Sequence, residues 1–194
     1  MKFYNKETWN DRWIVEDVFR GREGGFFVEA GAQHGKWGSC TYVLEKDLGW
    51  TGILIEPVDS LFDKLVKFRP NSTCINACLS DTNKEVDFIQ YKDEIGFSGI
   101  PEHWGPNRKV NPETSAHEKT KKPGITLKKI LDDHHAPKVI DYLAMDIERA
   151  ETAVLNVFPF DEYAFKVISL EGGQGAFNTL AENDYMRVGN PFCR

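Results

Sequence analysis

At 194 residues the chain is about one domain long, and its 41% hydrophobic residues suffice for a core without metal or disulfide staples. The net charge of −6 argues against a broad nucleic-acid surface, and no apolar run approaches the ~20 residues of a membrane-spanning helix. The four cysteines form no CxxC pair, and the opening residues do not resemble a signal peptide. We therefore expect a soluble, cytoplasmic protein in a reducing compartment, without nucleic-acid or membrane partners.

Apolar strand-like runs alternate with helical segments along most of the chain. Within residues 1–24, Trp9, Trp13, Ile14 and Val18 recur at helical spacing and predict an amphipathic lead-in helix. The predicted strands cover residues 26–30, 52–55, 73–77, 139–145 and 165–170, and the helices between them cover 39–48, 59–68, 127–134 and 152–158. Strands that are apolar throughout, separated by helices, are typical of a parallel sheet covered on both faces. The prediction is one α/β domain, 1–194, with a doubly wound, Rossmann-like sheet.

Three further segments have weaker patterns. Residues 84–91 alternate like an added strand, and DYMRV at 184–188 resembles another. Residues 93–124 hold four of the nine prolines and no sustained period, which predicts a long loop. Phe97, His103 and Trp104 make this loop either a substrate lid or a plain surface insertion, and its run HEKTKK is interpreted as a solvated stretch.

The stretch FFVEAGAQHG predicts a strand-to-helix turn that receives a nucleoside. The strand leads into Glu29, Gly31 and Gly35, at the edge where open α/β sheets bind ligands. A dinucleotide fingerprint needs glycine where Gln33 stands, and no GK[ST] follows, so pyrophosphate and P-loop binding are disfavoured. Glu56, after the second strand, is placed to accept hydrogen bonds from two ribose hydroxyls. Together these features suit S-adenosylmethionine.

The chain resembles the FkbM-type family of S-adenosylmethionine-dependent methyltransferases from about Trp13 to nearly its end. The likeness is carried by FFVEAGAQHG, LEKDLGWTGILIEP, NACLSD, ITLKKILDD and IDYLAMDIERAE, in the family's order. The resemblance implies a Rossmann-like methyltransferase fold. It also implies a set of cofactor-binding residues: Glu29, Gly31, Ala32, Gly35, Thr41, Glu56, Pro57, Cys78, Leu79, Ser80 and Asp146.

The chain departs from the family's usual pattern at three places. His34-Gly35 stands where the family usually has Asp-Gly, and SCT at 39–41 where it has Ser-Asn-Thr. DIERAE at 146–151 replaces Asp-x-Glu-Gly-x-Glu, so Arg149 stands at the glycine position. EGG at 171–173 replaces Glu-His-Asn. These differences bear on the acceptor more than on the cofactor.

Methyl transfer to a hydroxyl requires a group that removes its proton. Asp146 and Glu171 follow the fourth and fifth predicted strands, so both are expected on the rim that holds the cofactor turn. They can act as a general base or ligate one Mg²⁺ or Mn²⁺ ion. Glu148 and His34 are the other catalytic candidates, although Glu148 is also a typical first-turn helix acid and His34 a typical hydrogen-bonded structural histidine.

The favoured function is O-methylation of a small-molecule or glycan hydroxyl, most simply a sugar in a glycan or glycosylated metabolite. One alternative is a catalytically silent nucleoside-binding module of the same fold. Another is an RNA ribose methyltransferase, suggested by Lys166 together with Asp146 and Glu171. An NAD-dependent oxidoreductase is the third alternative.

Overall fold

The computed structural model describes residues 1–105, 110 and 113–193. Its main sheet consists of β1 (Phe26–Ala30), β2 (Thr51–Ile55), β3 (Thr73–Ile75), β7 (Val139–Met145) and β8 (Ala164–Leu170). These five strands are parallel and lie in the order β3-β2-β1-β7-β8. The strand order reverses between β1 and β7, so a ligand crevice is expected outside the carboxyl ends of these strands. The predicted doubly wound α/β fold is confirmed.

Helices cover both faces of this sheet. They are α1 (Asn10–Trp13), α2 (Tyr42–Leu48), α3 (Asp59–Phe68), α4 (Leu127–Asp133), α5 (Glu151–Asn156) and α6 (Gln174–Glu182). Phe27 of β1 packs with side chains of α1, α2 and α3, whereas its neighbour Val28 packs with side chains of α4, α5 and α6. Successive strand residues face opposite sides of a sheet, so this single strand contributes to both cores.

Two of the helix predictions differ from the structure by three residues or more at a boundary. The helix predicted from residue 39 begins only at Tyr42. Ser39 and Thr41 stay in the preceding loop, because their hydroxyls donate hydrogen bonds to the Glu29 carboxylate. The lead-in region is helical only over α1 and a π-helical turn, Ile14–Val18. It ends before Arg20 and Gly21, whose φ angles of 50° and 74° are incompatible with a right-handed helix.

A second, three-stranded sheet lies beside the main one. It contains β4 (Cys78–Leu79), β5 (Glu85–Tyr91) and β6 (His117–Ile125) in the order β4-β6-β5. The predicted strand 73–77 is therefore interrupted: the chain leaves the main sheet after Ile75, where the Asn76 side chain donates to the Glu56 carbonyl. The four cysteines are free thiols.

The predicted loop 93–124 is shorter than expected. The run HEKTKK belongs to β6, a strand that the sequence interpretation missed and that pairs antiparallel with β5. Glu118, Lys119 and Lys121 are exposed, as expected of a solvated stretch, whereas Lys122 is buried. Cross-strand pairs such as Lys121 with Asp87, 2.8 Å apart, compensate for the polar sequence. The remaining segment contains 3-10 turns at Ile95–Phe97 and Pro101–His103, and residues 106–109 and 111–112 lie outside the described part.

The end of the chain does not form the strand predicted for DYMRV. Residues 185–188 have no regular structure after α6, and Met186 and Val188 are exposed. The Tyr185 hydroxyl accepts a hydrogen bond from the Phe165 amide, so this segment contacts β8 through a side chain instead of extending the sheet. Within the described residues, no helix combines the length and hydrophobicity needed to cross a bilayer.

Candidate functional site

The turn after β1 is built on a close approach between two backbones. Gly31 has a φ of 78°, and a Cβ added there would lie 1.9 Å from the carbonyl oxygen of Asp146, the residue that follows β7. The Gly31 and Ala32 amides both donate to the Ile55 carbonyl at the end of β2. Glycine is therefore required at position 31, where three neighbouring strands end and a crevice opens.

Glu29 stabilises the loop between β1 and α2 through hydrogen bonds. Its buried carboxylate accepts hydrogen bonds from the Ser39 hydroxyl (2.8 Å), the Cys40 amide (2.6 Å) and the Thr41 hydroxyl (2.5 Å). These bonds satisfy the polar groups between β1 and α2. Glu29 and Thr41 therefore hold the loop in shape and do not line the crevice.

Arg69 at the end of α3 completes this buried network, and the sequence interpretation missed it. The residue is 1% exposed, and its Nε donates to Glu45 at 2.8 Å and its Nη2 to Thr41 at 2.9 Å. Its Nη1 lies 3.5 Å from Glu29 and 3.3 Å from the Gly35 carbonyl oxygen. No local pattern marks Arg69, because its partners lie 24 to 40 positions away in the chain.

Glu56 follows β2 directly and is buried at the carboxyl end of that strand. It is 3% exposed, and its two oxygens accept separate hydrogen bonds, from the Gln33 amide (2.8 Å) and the Val58 amide (2.8 Å). Burial raises the pKa of Glu56 to about 7, against the lowering effect of these two bonds and of Lys122. Each oxygen has a second lone pair with which it can accept a ligand hydroxyl.

A pocket opens between these elements and contains about 580 Å³ of empty space, part of which is open to solvent. It is lined by Gly31, Gln33, Ile55, Glu56, Pro57, Val58, Leu61, Cys78, Leu79, Phe88, Ile95, Gly96, Ser98, Gly99, Ile100, Asp146, Ile147 and Glu148. Seven of the predicted site residues are in this lining, which brings together Gly31, Glu56, Pro57, Cys78, Leu79, Asp146 and Glu148. The sequence interpretation missed the wall formed by Phe88, residues 95–96 and residues 98–100, apart from its suggestion that the loop is a lid.

The lid residues named from the sequence do not line the pocket. Phe97 and Trp104 pack against Ile89 and Tyr91 of β5 and against Val110. His103 lies 4.0 Å from Asp81. Their neighbours in residues 95–100 form the pocket wall instead. Whether this wall moves as a lid stays a prediction.

The other predicted site residues surround the pocket without lining it. Ala32, Gly35 and Ser80 are buried beside it, and Ser80 bonds to Ile125 and Asp81. His34 turns its ring toward Phe68 on α3, 6.3 Å between centroids. Burial, with help from Lys64 and Lys36, lowers the pKa of His34. The structure therefore does not bring His34 to the position of a catalytic base.

Three carboxylates meet at the end of the pocket opposite Glu56. Asp146, Glu148 and Glu171 each offer an oxygen atom within 4.8 Å of the other two. Asp146 keeps solvent contact through the pocket, yet the protein around its carboxyl group displaces enough water to raise its pKa. The Glu171 carboxylate, which shares a hydrogen bond with Asp146, raises it further, followed by Glu148 and Glu151. Asp146 can therefore take up a proton nearer neutral pH than an ordinary aspartate.

The turn after β7, which contains Asp146 and Glu148, has a strained backbone and is held by a hydrogen bond to the buried Glu151 side chain. Glu148 and Arg149 have φ angles of 55° and 80°, in the left-handed region that favours glycine. Glu151 is 1% exposed and accepts a hydrogen bond from the Ile147 amide at 2.9 Å. Burial raises the pKa of Glu151. Glu151 therefore positions the turn from the protein interior.

Two of the alternative functions lose their structural basis. The Lys166 ammonium lies 2.7 Å from Asp141, near the start of β7, whereas Asp146 follows the other end of that strand. Lys166 and Asp146 therefore do not form part of one catalytic set. Gln33 has a φ of 48° and its amide donates to Glu56, which leaves this amide no role in cradling a pyrophosphate.

Comparisons with known proteins agree with this geometry. A family model described as the methyltransferase FkbM domain matches residues 29–187, a range that contains the whole main sheet except the first residues of β1. No curated protein and no solved structure gave a significant match. Since the matched range covers well over half of the chain, the protein belongs to the FkbM methyltransferase family.

Proposed function

We propose that the chain binds S-adenosylmethionine in this pocket and transfers its methyl group to a sugar hydroxyl in a glycan or glycosylated metabolite. One observation carries the proposal: a single pocket joins the buried acid Glu56 to the proton-accepting acid Asp146, with Gly31 between them. A methyltransferase family model over most of the chain supports the reaction class.

The residues at the Glu56 end suit an adenosine group. The Glu56 oxygens retain lone pairs for two ribose hydroxyls, since each accepts one amide hydrogen bond from the residues that the structure describes. Val58, Leu61, Leu79 and Phe88 supply apolar surface for a base.

The residues at the Asp146 end suit the transfer step. The cofactor supplies an electrophilic methyl group on a positively charged sulfur, which becomes a neutral thioether on transfer. As the acceptor oxygen takes the methyl group, its hydroxyl proton passes to a carboxylate oxygen of Asp146. The raised pKa of Asp146 favours that proton transfer. Glu148 and Glu171 add acceptors for neighbouring hydroxyls, which suits a neutral polyol and disfavours an anionic acceptor.

A divalent ion is the alternative to direct proton transfer. The oxygens of Asp146, Glu148 and Glu171 are hard donors of the kind that hold Mg²⁺ or Mn²⁺. Such an ion would lower the pKa of an acceptor hydroxyl. Chelator treatment separates the two mechanisms, because only the metal-assisted reaction loses turnover and recovers it with added Mg²⁺ or Mn²⁺.

Calorimetry with S-adenosylhomocysteine tests the cofactor half of the proposal. We expect saturable binding, and Glu56→Ala should weaken it by ~1 to 3 kcal/mol through lost charged hydrogen bonds. Glu23→Ala, which removes an exposed acid outside the pocket, is the matched control. An absence of binding at millimolar cofactor would contradict the proposal. Greater protection from thermal unfolding by NAD than by S-adenosylhomocysteine would favour an oxidoreductase instead.

Turnover with a panel of acceptors tests the transfer half. The panel contains neutral methyl glycosides, matched sugar phosphates and a short RNA, with labelled S-adenosylmethionine as donor. We expect methylation of a neutral glycoside. Tight cofactor binding without turnover on any acceptor would instead favour the silent binding module, to which the Arg149 and EGG replacements point.

A further inference from the structure

A buried lysine on β6 lies behind the Glu56 end of the pocket. Lys122 is 8% exposed, which is unusual for lysine, and its Nζ donates to Asp59 Oδ1 at 2.7 Å. Asp59 is the first residue of α3 and follows Glu56 by three positions. The ion pair therefore ties the small sheet to the segment that leaves the end of β2.

Residues on either side of Asp59 form one wall of the pocket. Val58 and Leu61 pack against Cys78, Phe88 and Ile100, and all five residues line the pocket. The Val58 amide also holds one Glu56 oxygen. Lys122 thus stands where the small sheet, the start of α3 and the Glu56 carboxylate come together.

The charges around Glu56 come from three elements besides its own. Lys122 on β6 lowers the pKa of Glu56, and Asp59 on α3 forms an ion pair with Lys122 that partly neutralises its charge. The Cys78 thiol on β4 stays neutral near pH 7, since burial raises its pKa to about 12, and Asp146 faces the pocket from its other end. Among the residues that the structure describes, Lys122 is the cation whose charge acts on Glu56.

We propose that Lys122 is a positioning residue for the cofactor: its ion pair with Asp59 holds the start of α3, and with it the Val58 amide, in place around Glu56, and its positive charge favours the ionised carboxylate that receives the ribose, so that Lys122 extends cofactor binding to lower pH. The inference rests on the proposed function, in which S-adenosylmethionine occupies this pocket. If the lysine charge is removed, Glu56 remains buried but no longer has a nearby positive charge that favours its ionised form. Cofactor affinity should then fall at a pH where Glu56 becomes protonated and stay unchanged at a pH where Glu56 remains ionised.

The test is the affinity for S-adenosylhomocysteine, measured by calorimetry from about pH 6 to about pH 9, for the parent chain and for Lys122→Met. A rise of about one in the pKa of Glu56 would lower its ionised fraction about fivefold at about pH 7 and hardly at all at about pH 9. We expect the affinity ratio between variant and parent to follow that fraction. Lys121→Met is the matched control, because Lys121 neighbours Lys122 on β6 but is exposed and pairs with exposed Asp87.

A second variant acts in the opposite direction and guards against misfolding of the first. The Asp59 side chain is 74% exposed, so the Asp59→Asn variant should fold. Without the Asp59 carboxylate, the positive charge of Lys122 is no longer partly neutralised and should stabilise ionised Glu56 more strongly. We expect binding about two- to threefold tighter at about pH 6 than in the parent. An equal loss at every pH in Lys122→Met, or no gain at low pH in Asp59→Asn, would overturn the inference. A parent chain that binds no S-adenosylhomocysteine at any pH would instead overturn the proposed function beneath it.

Discussion

Gly31 and Asp146 are in backbone contact: the space that a Cβ on Gly31 would occupy lies 1.9 Å from the carbonyl oxygen of Asp146. This contact joins the turn after β1 to the turn after β7. It places the Glu56 and Asp146 ends of the pocket on one edge of the sheet. The position of Asp146 therefore depends on the missing side chain at residue 31.

Gly31→Ala tests this contact. We expect a loss of ~2 to 4 kcal/mol of unfolding free energy, because the clash adds to the cost of a positive φ. Gly38→Ala is the matched control: its φ is 82°, but nothing lies within 4 Å of its added Cβ. The control should lose only ~1 kcal/mol in the same denaturant titration. Equal losses would mean that the backbones around Asp146 relax freely.

Arg69→Met tests the buried ion network. Removal of the guanidinium leaves Glu29 and Glu45 buried without their cation, so we expect a loss of ~3 to 5 kcal/mol in unfolding free energy. Arg12→Met removes an exposed arginine that pairs with Glu16, and should lose at most ~1 kcal/mol. Chemical denaturation at one pH compares the two. Similar losses would argue that the network contributes little.

Asp146→Asn tests the proposed base. Turnover should fall by roughly 10² or more, the usual scale for loss of a general base, while affinity for S-adenosylhomocysteine changes little. In the parent, turnover should rise with pH through the raised pKa of Asp146, since the base must be ionised to accept a proton. Near-parent turnover in the variant would assign Asp146 a structural role and direct the search to Glu171.

The same substitution should raise stability in alkaline solution. The raised pKa means that the folded chain retains a proton on Asp146 that the unfolded chain has released, so stability falls as the pH rises from about 4 and the loss is complete above the folded pKa. Asparagine carries no charge, and the variant should unfold at a higher temperature than the parent at about pH 9. At about pH 4 the two should differ less, which a pair of thermal scans would check.

Glu56→Gln tests the protonation of the buried acid. Between about pH 4.5 and 7 the folded chain retains a proton on Glu56 that the unfolded chain has released, so rising pH favours unfolding. The effect is at most about 3 kcal/mol across this window, and the glutamine variant should lack it. Parallel stability curves for the parent and the variant would show that Glu56 titrates normally.

Arg149→Gly tests the strained turn. The φ of 80° suits glycine, so the substitution should raise unfolding free energy by about 1 kcal/mol. Arg149→Ala removes the same guanidinium but keeps a Cβ, so it separates side-chain interactions from backbone strain. An alanine variant as stable as the glycine variant would show that the backbone at Arg149 carries no cost.

Local pattern alone predicted the main sheet and the principal pocket residues. Continuous apolar strands between amphipathic helices are typical of a parallel sheet, and the carboxyl ends of such strands share one edge. Gly31, Glu56 and Asp146 each follow a strand that belongs to the main sheet, so the sequence placed them together before any contact was known.

Only the tertiary structure decided which side chains face the pocket and which support it from behind. Strand β6 has a polar sequence whose stability comes from pairing with β5, about thirty positions earlier, and the burial of Lys122 follows from that pairing. Arg69 reaches Glu29 across 40 positions, and His34 turns to Phe68 although its neighbour Gln33 lines the pocket. Periodicity reports which residues are buried along one element. The partner of a buried charge depends instead on how distant elements pack, and a local pattern contains no record of that packing.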